Sequence, residues 1–219
     1  ALHKRYGEGE TAVDALRGVD LQVAPGEVVG LIGPSGSGKS TLLKCLGAVI
    51  EPSGGRMVLG GETIYDDGWK ISDLRALRRD NIGFVFQAYH LIDELTVYEN
   101  IETPLLYQDV KGSERKAMVA DILDRFNIVG KKDLFPTQLS GGQQQLVGIA
   151  RALIGKPKLI LADEPTGNLN SKQGEEIMEL FKQLNKEGVT IIQVTHSEKN
   201  AAYANKTIHL LDARIEKIE

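Results

Sequence analysis

The sequence predicts an α/β fold: a mainly parallel sheet with helices on both faces, an antiparallel β subdomain at the N-terminus and an inserted α-helical subdomain. Three observations predict it. A short apolar run at 27–32 passes through a glycine-rich turn into a helical segment at 41–46, which makes a strand–loop–helix unit. From residue 158 onward, apolar runs of strand length alternate with amphipathic helix. Between these regions, residues 88–155 lose that alternation and read as helix. At 219 residues, with 42% hydrophobic side chains, the chain suits one domain spanning 1–219, with the helical block inserted at about 88–155.

The elements follow in order. Residues 1–65 alternate short apolar runs with Gly, Pro and charged turns. Residues 19–23 (Val-Asp-Leu-Gln-Val) alternate at period two and stop at Pro25-Gly26, which predicts a strand. Residues 56–61 predict another strand followed by a turn, and both look like antiparallel strands around the glycine-rich loop. Residues 66–72 are polar, include Trp69, and read as a surface loop. Residues 73–80 predict a short helix and 82–86 (Ile-Gly-Phe-Val-Phe) a buried strand. Within the helical block, Ser113 is placed to cap a helix carrying Met118, Ile122 and Phe126 on one face. Pro136 breaks the chain before the next helix. Residues 159–162 are a buried strand. Ile177, Leu180, Phe181 and Leu184 fall at i, i+3, i+4 and i+7, one stripe of a helix. Residues 190–194 and 207–211 are further strands. Strands this apolar need cover on both faces.

Composition removes several function classes. The formal net charge is −4, which makes a poor general binder of nucleic acid, because neutralising phosphates takes clustered Lys and Arg. The short basic stretch 75–79 is diluted by Ala76 and Leu77 and reads as a solvated helix face. Cys45 is the single cysteine, so no internal disulfide forms; it reads as a small buried residue, and a reducing compartment fits. No apolar run approaches the roughly 18 residues that span a bilayer, and Ala1-Leu2-His3-Lys4-Arg5 lacks the apolar core of a signal peptide. The expectation is a cytoplasmic protein without direct membrane insertion; if it works at a membrane, another chain does the spanning.

The chemistry begins at Gly33-Pro34-Ser35-Gly36-Ser37-Gly38-Lys39-Ser40, which matches the phosphate-loop pattern GxxxxGK[ST] at every fixed position. This makes the expected core that of a P-loop nucleoside triphosphatase. The glycines let backbone N–H groups point inward, and the helix entered at Thr41 adds partial positive charge. Lys39 supplies a full charge for the β- and γ-phosphates and Ser40 a hydroxyl for Mg²⁺. Asp163 and Glu164 end the strand at 159–162, and ligands of open α/β sheets sit at the carboxyl ends of strands. Asp163 fits the metal-holding acid, and Glu164 the group that orients or deprotonates the attacking water.

Leu139-Ser140-Gly141-Gly142-Gln143 is the second motif. It opens the helical run 144–153 and makes another helix N-terminus able to hold phosphate. One γ-phosphate does not need two such termini from one chain, so a second subunit explains the surplus. Here the sequence resembles the ATP-binding subunits of ABC transporters over essentially its whole length. In that family the LSGGQ element is the signature and closes over the ATP held by the partner's phosphate loop. The resemblance implies ATP and Mg²⁺ as ligands, a head-to-tail dimer of two copies, and separate transmembrane permease subunits. It places the protein peripherally on the inner face of the cell membrane. Tyr6 matches the aromatic that stacks on adenine, and Val13 the apolar contact beside it. Gln87 matches the Q-loop glutamine, which contacts Mg²⁺ and relays nucleotide state to the helical subdomain. His196 matches the switch histidine at the γ-phosphate, and residues 167–170 (Gly-Asn-Leu-Asn) match the D-loop at the dimer interface.

Three positions depart from the family pattern. Asn170 stands where Asp is usual, Leu146 where Arg is common, and Ser197 where Asp is frequent. None touches the core catalytic set, and Asn caps a helix about as well as Asp. Glu164 is intact, so hydrolysis is expected. The stretches 6–19 and 162–169 are most similar to the branch containing lipoprotein-release, macrolide- and peptide-export, and cell-division ATPases. An ATP-driven regulator that moves no cargo is the alternative within that branch. The stretch after the last expected strand leaves no room for the C-terminal regulatory domain of sugar importers. ABC ATPases that act on DNA or ribosomes carry coiled coils or paired cassettes, which this sequence lacks. A GTPase is not expected, because residues 185–188 (Asn-Lys-Glu-Gly) lack the Asp of the guanine motif and sit at a helix end rather than after a strand.

Overall fold

The computed structural model describes residues 1–219. In chain order its principal elements are β1 (Leu2–Tyr6), β2 (Val13–Val19), β3 (Val28–Ile32), α1 (Lys39–Leu46), β4 (Arg56–Leu59), β5 (Glu62–Asp66), α2 (Leu74–Asn81), β6 (Ile82–Phe86), α3 (Val97–Tyr107), α4 (Gly112–Arg125), α5 (Gly141–Ile154), β7 (Leu159–Asp163), α6 (Ser171–Lys186), β8 (Thr190–Val194), α7 (Glu198–Ala201), β9 (Lys206–Leu211) and β10 (Arg214–Ile218). Six strands form one sheet in the order β10-β9-β3-β8-β7-β6, parallel throughout except for β10 at the edge.

The apolar runs of β3, β7 and β8 follow from burial on both faces of the sheet. On one face Val28, Val85, Ile160, Ala162 and Ile191 join a cluster with α3, α4, α5 and α6, including Ile101, Leu105, Leu123, Val147, Ile149 and Phe181. On the other face Val29, Leu31, Leu161, Ile192, Val194, Ile208 and Leu210 meet Leu42, Leu43 and Cys45 of α1, together with residues of the small strands. The small strands form two antiparallel pairs, β1 with β2 and β4 with β5. His3 joins them: its N–H donates to the Gly54 carbonyl at 2.9 Å, and its own carbonyl accepts from Ser53 N at 2.8 Å.

Three expectations shift. The N-terminal strand is Val13–Val19, and only Val19 of the expected 19–23 lies in a ladder. The burial alternation does continue, with Leu21 and Val23 packed on the core. Leu2 pairs with Val19, however, so β1 is used up and no partner strand remains for the later residues. Helix α4 starts at Gly112 with Lys111 at its cap, so Ser113 lies in the first turn. Helix α5 starts at Gly141 rather than at 144, because Ser140 and Gln143 close a capping box that draws both glycines into the first turn.

Candidate functional site

The phosphate loop leaves the end of β3 and enters α1 through two backbone positions that require glycine. Gly33 has φ +149° and Gly38 φ +97°. A Cβ would lie 2.1 Å from the Leu210 carbonyl oxygen at Gly33 and 2.3 Å from that of Ala15 at Gly38. The loop is therefore pressed between β9 and β2, and α1 begins with no side-chain cap on its first amides. Lys39 is 5% exposed. Its ammonium donates to the carbonyls of Gly33 at 2.9 Å and Pro34 at 2.7 Å. Burial pushes its pKa down, and the carboxylates of Glu164 and Asp163 push back.

Register assembles the rest. Phe86 pairs with Asp163, and Asp163 with Val194, so β6, β7 and β8 end level. Gln87, Glu164 and the turn carrying His196 therefore emerge side by side. Ser40 Oγ donates to Asp163 Oδ1 at 3.1 Å, which joins the start of α1 to the end of β7. Glu164 adopts φ +50°, a left-handed conformation that costs a non-glycine residue about 1–3 kcal/mol. Its N–H donates to Val194 O at 3.0 Å, and its carbonyl accepts from Gly167 N at 3.0 Å. Its Oε1 lies 3.0 Å from His196 Nε2. That approach is off the hydrogen-bond line, so Oε1 is buried without a hydrogen-bond partner. Burial raises the Glu164 pKa and Asp163 adds to the rise, while His196 and Lys39 oppose it.

No group of three or more His, Cys, Asp and Glu side chains converges as a metal cage. The donors at hand are the hard oxygens of Ser40 and Asp163. They suit Mg²⁺, which is held by one or two protein oxygens plus phosphates rather than by a protein cage.

Gln87 makes a reciprocal amide pair with Asn168. Its Nε2 donates to Asn168 Oδ1 at 3.1 Å, and Asn168 Nδ2 donates to the Gln87 carbonyl at 3.0 Å. The segment after Gln87 is tied to α5 by Arg151, whose guanidinium donates to the carbonyls of His90 at 2.6 Å and Tyr89 at 3.0 Å. Both carbonyls belong to residues with positive φ. Sequence reasoning missed Arg151. The available signal was a lone cation in the apolar stretch 147–154.

Ser140, Gly141, Gly142 and Gln143 sit elsewhere. Ser140 Oγ accepts from Gln143 N at 3.4 Å, and Gln143 Oε1 accepts from Ser140 N at 3.0 Å. Gly141 lies under the Tyr89 hydroxyl and Gly142 against the Gln173 side chain. No hydrogen bond or ion pair links these four residues to Lys39, Ser40, Asp163, Glu164 or His196. Tyr6 and Val13 are cross-strand partners with 43% and 60% exposure, so they offer a small apolar face near the loop that β2 supports. Lys4 Nζ stands 5.0 Å from the centre of the Tyr6 ring.

The three unusual positions have plain structural roles. Asn170 caps α6 by accepting from Gln173 N at 3.0 Å. Leu146 packs on the helical cluster. Ser197 caps α7 through Asn200 N. A separate cleft of about 490 Å³ is lined by Arg75, Arg78, Arg79, Phe84, Tyr107 and Arg151 among others, and it contains no phosphate-loop residue.

Comparison with known proteins matches residues 16–167 to the family described as ABC transporter. The chain is 46% identical over 215 residues to the lipoprotein-releasing system ATP-binding protein LolD of Geobacter metallireducens, covering 98% of this chain and 95% of that one. It is 43% identical to the macrolide export ATP-binding/permease protein MacB of Sodalis glossinidius, of which it spans only 32%. Among solved structures, the dimeric cassette MJ0796 in a post-hydrolysis state with ADP and Pi superposes with a TM-score of 0.89 at 41% identity, covering 100% of this chain and 95% of that one.

Proposed function

The chain belongs to the ABC transporter ATP-binding family and is an ATPase, and we propose that Lys39, Asp163, Glu164 and His196 carry its turnover in a site completed by Ser140, Gly141, Gly142 and Gln143 of a second copy. One observation carries this reading. The level ends of β6, β7 and β8 gather an acid, a histidine and a hydroxyl–carboxylate pair beside the phosphate loop, while the second glycine-led helix of the same chain has no link to them.

Each residue then has a task. The loop from Gly33 to Thr41 turns its amides toward the phosphates, and Lys39 adds a full charge there. Ser40, Asp163 and Gln87 would hold Mg²⁺, which when bound neutralises charge on the phosphoryl oxygens. Glu164 accepts a proton from the attacking water; burial raises its pKa toward the working pH, which favours that transfer. His196, 3.0 Å from that carboxylate, contacts the γ-phosphate. Tyr6 stacks on the adenine ring, with Val13 as the apolar contact beside it.

No helix is long and apolar enough to cross a membrane. We place the protein on the cytoplasmic face of a membrane, driving a separate permease of the exporting or lipoprotein-extruding kind, as the names of its relatives indicate for them. The arginine-lined cleft is the face we assign to that permease. Arg151 lines it and also holds the carbonyls that follow Gln87, so a segment seated there and the nucleotide act on the same turn.

Light scattering with ATP and Mg²⁺ on the wild type and on Glu164→Gln tests the shared site. A stable dimer of Glu164→Gln is the expected result. Two monomers, with wild type still hydrolysing ATP, would overturn it.

A further inference from the structure

A small network joins the two loops that carry the acid and the histidine, and one residue sits at its centre. Asn200 Nδ2 donates to Thr166 Oγ1 at 2.7 Å, two residues after Glu164. Asn200 N donates to Ser197 Oγ at 3.3 Å, one residue after His196. Ser197 N in turn donates to Thr195 Oγ1 at 3.1 Å. The Asn200 carbonyl accepts from Gln193 Nε2 at 3.0 Å. Gln193 is fully buried between Ile192 and Val194, and this is its side chain's single hydrogen bond. A buried amide is costly unless bonded; this bond, to a main-chain carbonyl, satisfies Gln193 Nε2, while its Oε1 is buried without a partner.

We propose that Asn200 is a positioning residue for ATP hydrolysis: through Thr166 it locks the loop of Glu164 to the loop of His196. The claim rests on the roles assigned above to those two residues. Glu164 is held in a strained backbone conformation, and such strain persists only where the surroundings over-determine it. The Glu164 N–H bond to Val194 O ties the two loops together at their base. The Asn200–Thr166 bond is a second tie, made by side chains beyond the acid and the histidine. The exposed ion pair of Lys199 with Glu175 runs between α7 and α6 and adds little, since solvent screens it. None of these groups touches the phosphate loop, so the lock bears on turnover and not on nucleotide capture.

Thr166 allows a clean test, because its methyl packs toward Gly174 while its hydroxyl makes the bond. Thr166→Val keeps the shape and removes the bond, whereas Thr166→Ser keeps the bond. Steady-state ATPase kinetics on the full chain with Mg²⁺ should show kcat lowered about ten- to a hundredfold in Thr166→Val and Asn200→Ala, with KM unchanged. Thr166→Ser should restore most of kcat, and the double variant should be no worse than either single one. The lock is overturned if Thr166→Ser is as impaired as Thr166→Val, if the two losses multiply, or if KM rises while kcat holds. Glu164→Gln separates the two levels of the claim. If it turns over like wild type, the site assignment itself fails. If it is inactive while Asn200→Ala and Thr166→Val run normally, only the lock fails.

Discussion

Two helices of this chain begin at glycine-rich turns, α1 and α5, and they treat their first amides in opposite ways. At α1 the cap is Gly38 in a left-handed conformation, with no side chain to accept from the helix. The neighbouring Lys39 is buried and turned onto the same loop. At α5 the cap is Ser140, and a complete capping box satisfies its amides from within. An uncapped N-terminus beside a buried cation is costly unless an anion comes to it. A capped one is stable alone and keeps its shape until another surface replaces the cap. In the reading proposed above, α1 is half of a site that waits for a ligand, and α5 is a finished part that waits for a partner.

The largest effects should separate the two helices. In Gly38→Ala the new Cβ would lie 2.3 Å from a main-chain oxygen that cannot move aside. Nucleotide binding, followed by titration calorimetry, should be abolished. In Gly142→Ala the Cβ would meet only the flexible end of Gln173 at 2.7 Å. That variant should fold, bind ATP as a monomer and lose hydrolysis. Equal loss of binding in both would break the comparison.

A mixture sharpens it further. Lys39→Ala and Ser140→Arg should each be inactive alone. Mixed in equal amounts they should recover about a quarter of wild-type activity, because half the dimers then contain one intact composite site of two. No recovery would mean that the signature acts within its own chain.

A subtler effect concerns pH. Residues 140–143 hold no ionisable side chain, so titration belongs wholly to the α1 side. Burial holds the Glu164 carboxyl above its ordinary value. The base form is the working one, so the rate should fall as pH drops through that raised value. The acid limb of kcat/KM against pH should therefore lie above that of an ordinary glutamate. A limb at the ordinary position would remove Glu164 from the base role.

What the sequence disclosed follows a physical divide. Strands buried on both faces announce themselves by apolar runs, as β3 and β7 do. Strands β1 and β10 read Leu-His-Lys-Arg-Tyr and Arg-Ile-Glu-Lys-Ile. They are half exposed and carry charge, so their strand character lies in pairing rather than in composition. Spacing made the glycine loop at 33–40, the two acids after β7 and the Ser-Gly-Gly turn before α5 stand out, because each needs a fixed local backbone. The φ of Glu164, the Gln87–Asn168 pair and the Asn200–Thr166 bond were not legible. They depend on strand register, which brings together residues 34 to 81 positions apart. Helix α5 was placed three residues late for a related reason. Glycine is a poor helix former in isolation, and here a cap from its neighbours overrides that preference.

The first residue of the phosphate loop rests on nearly the last of the sheet. Gly33 faces the carbonyl of Leu210, and β3 is flanked by β8 and β9, both contributed from beyond residue 189. On the ribosome the loop emerges early, yet the strands that shape it arrive last. A nascent chain thus carries the whole phosphate-loop motif without the surface that gives the motif its form until the strands beyond residue 189 follow. Nucleotide capture is expected to wait for those strands.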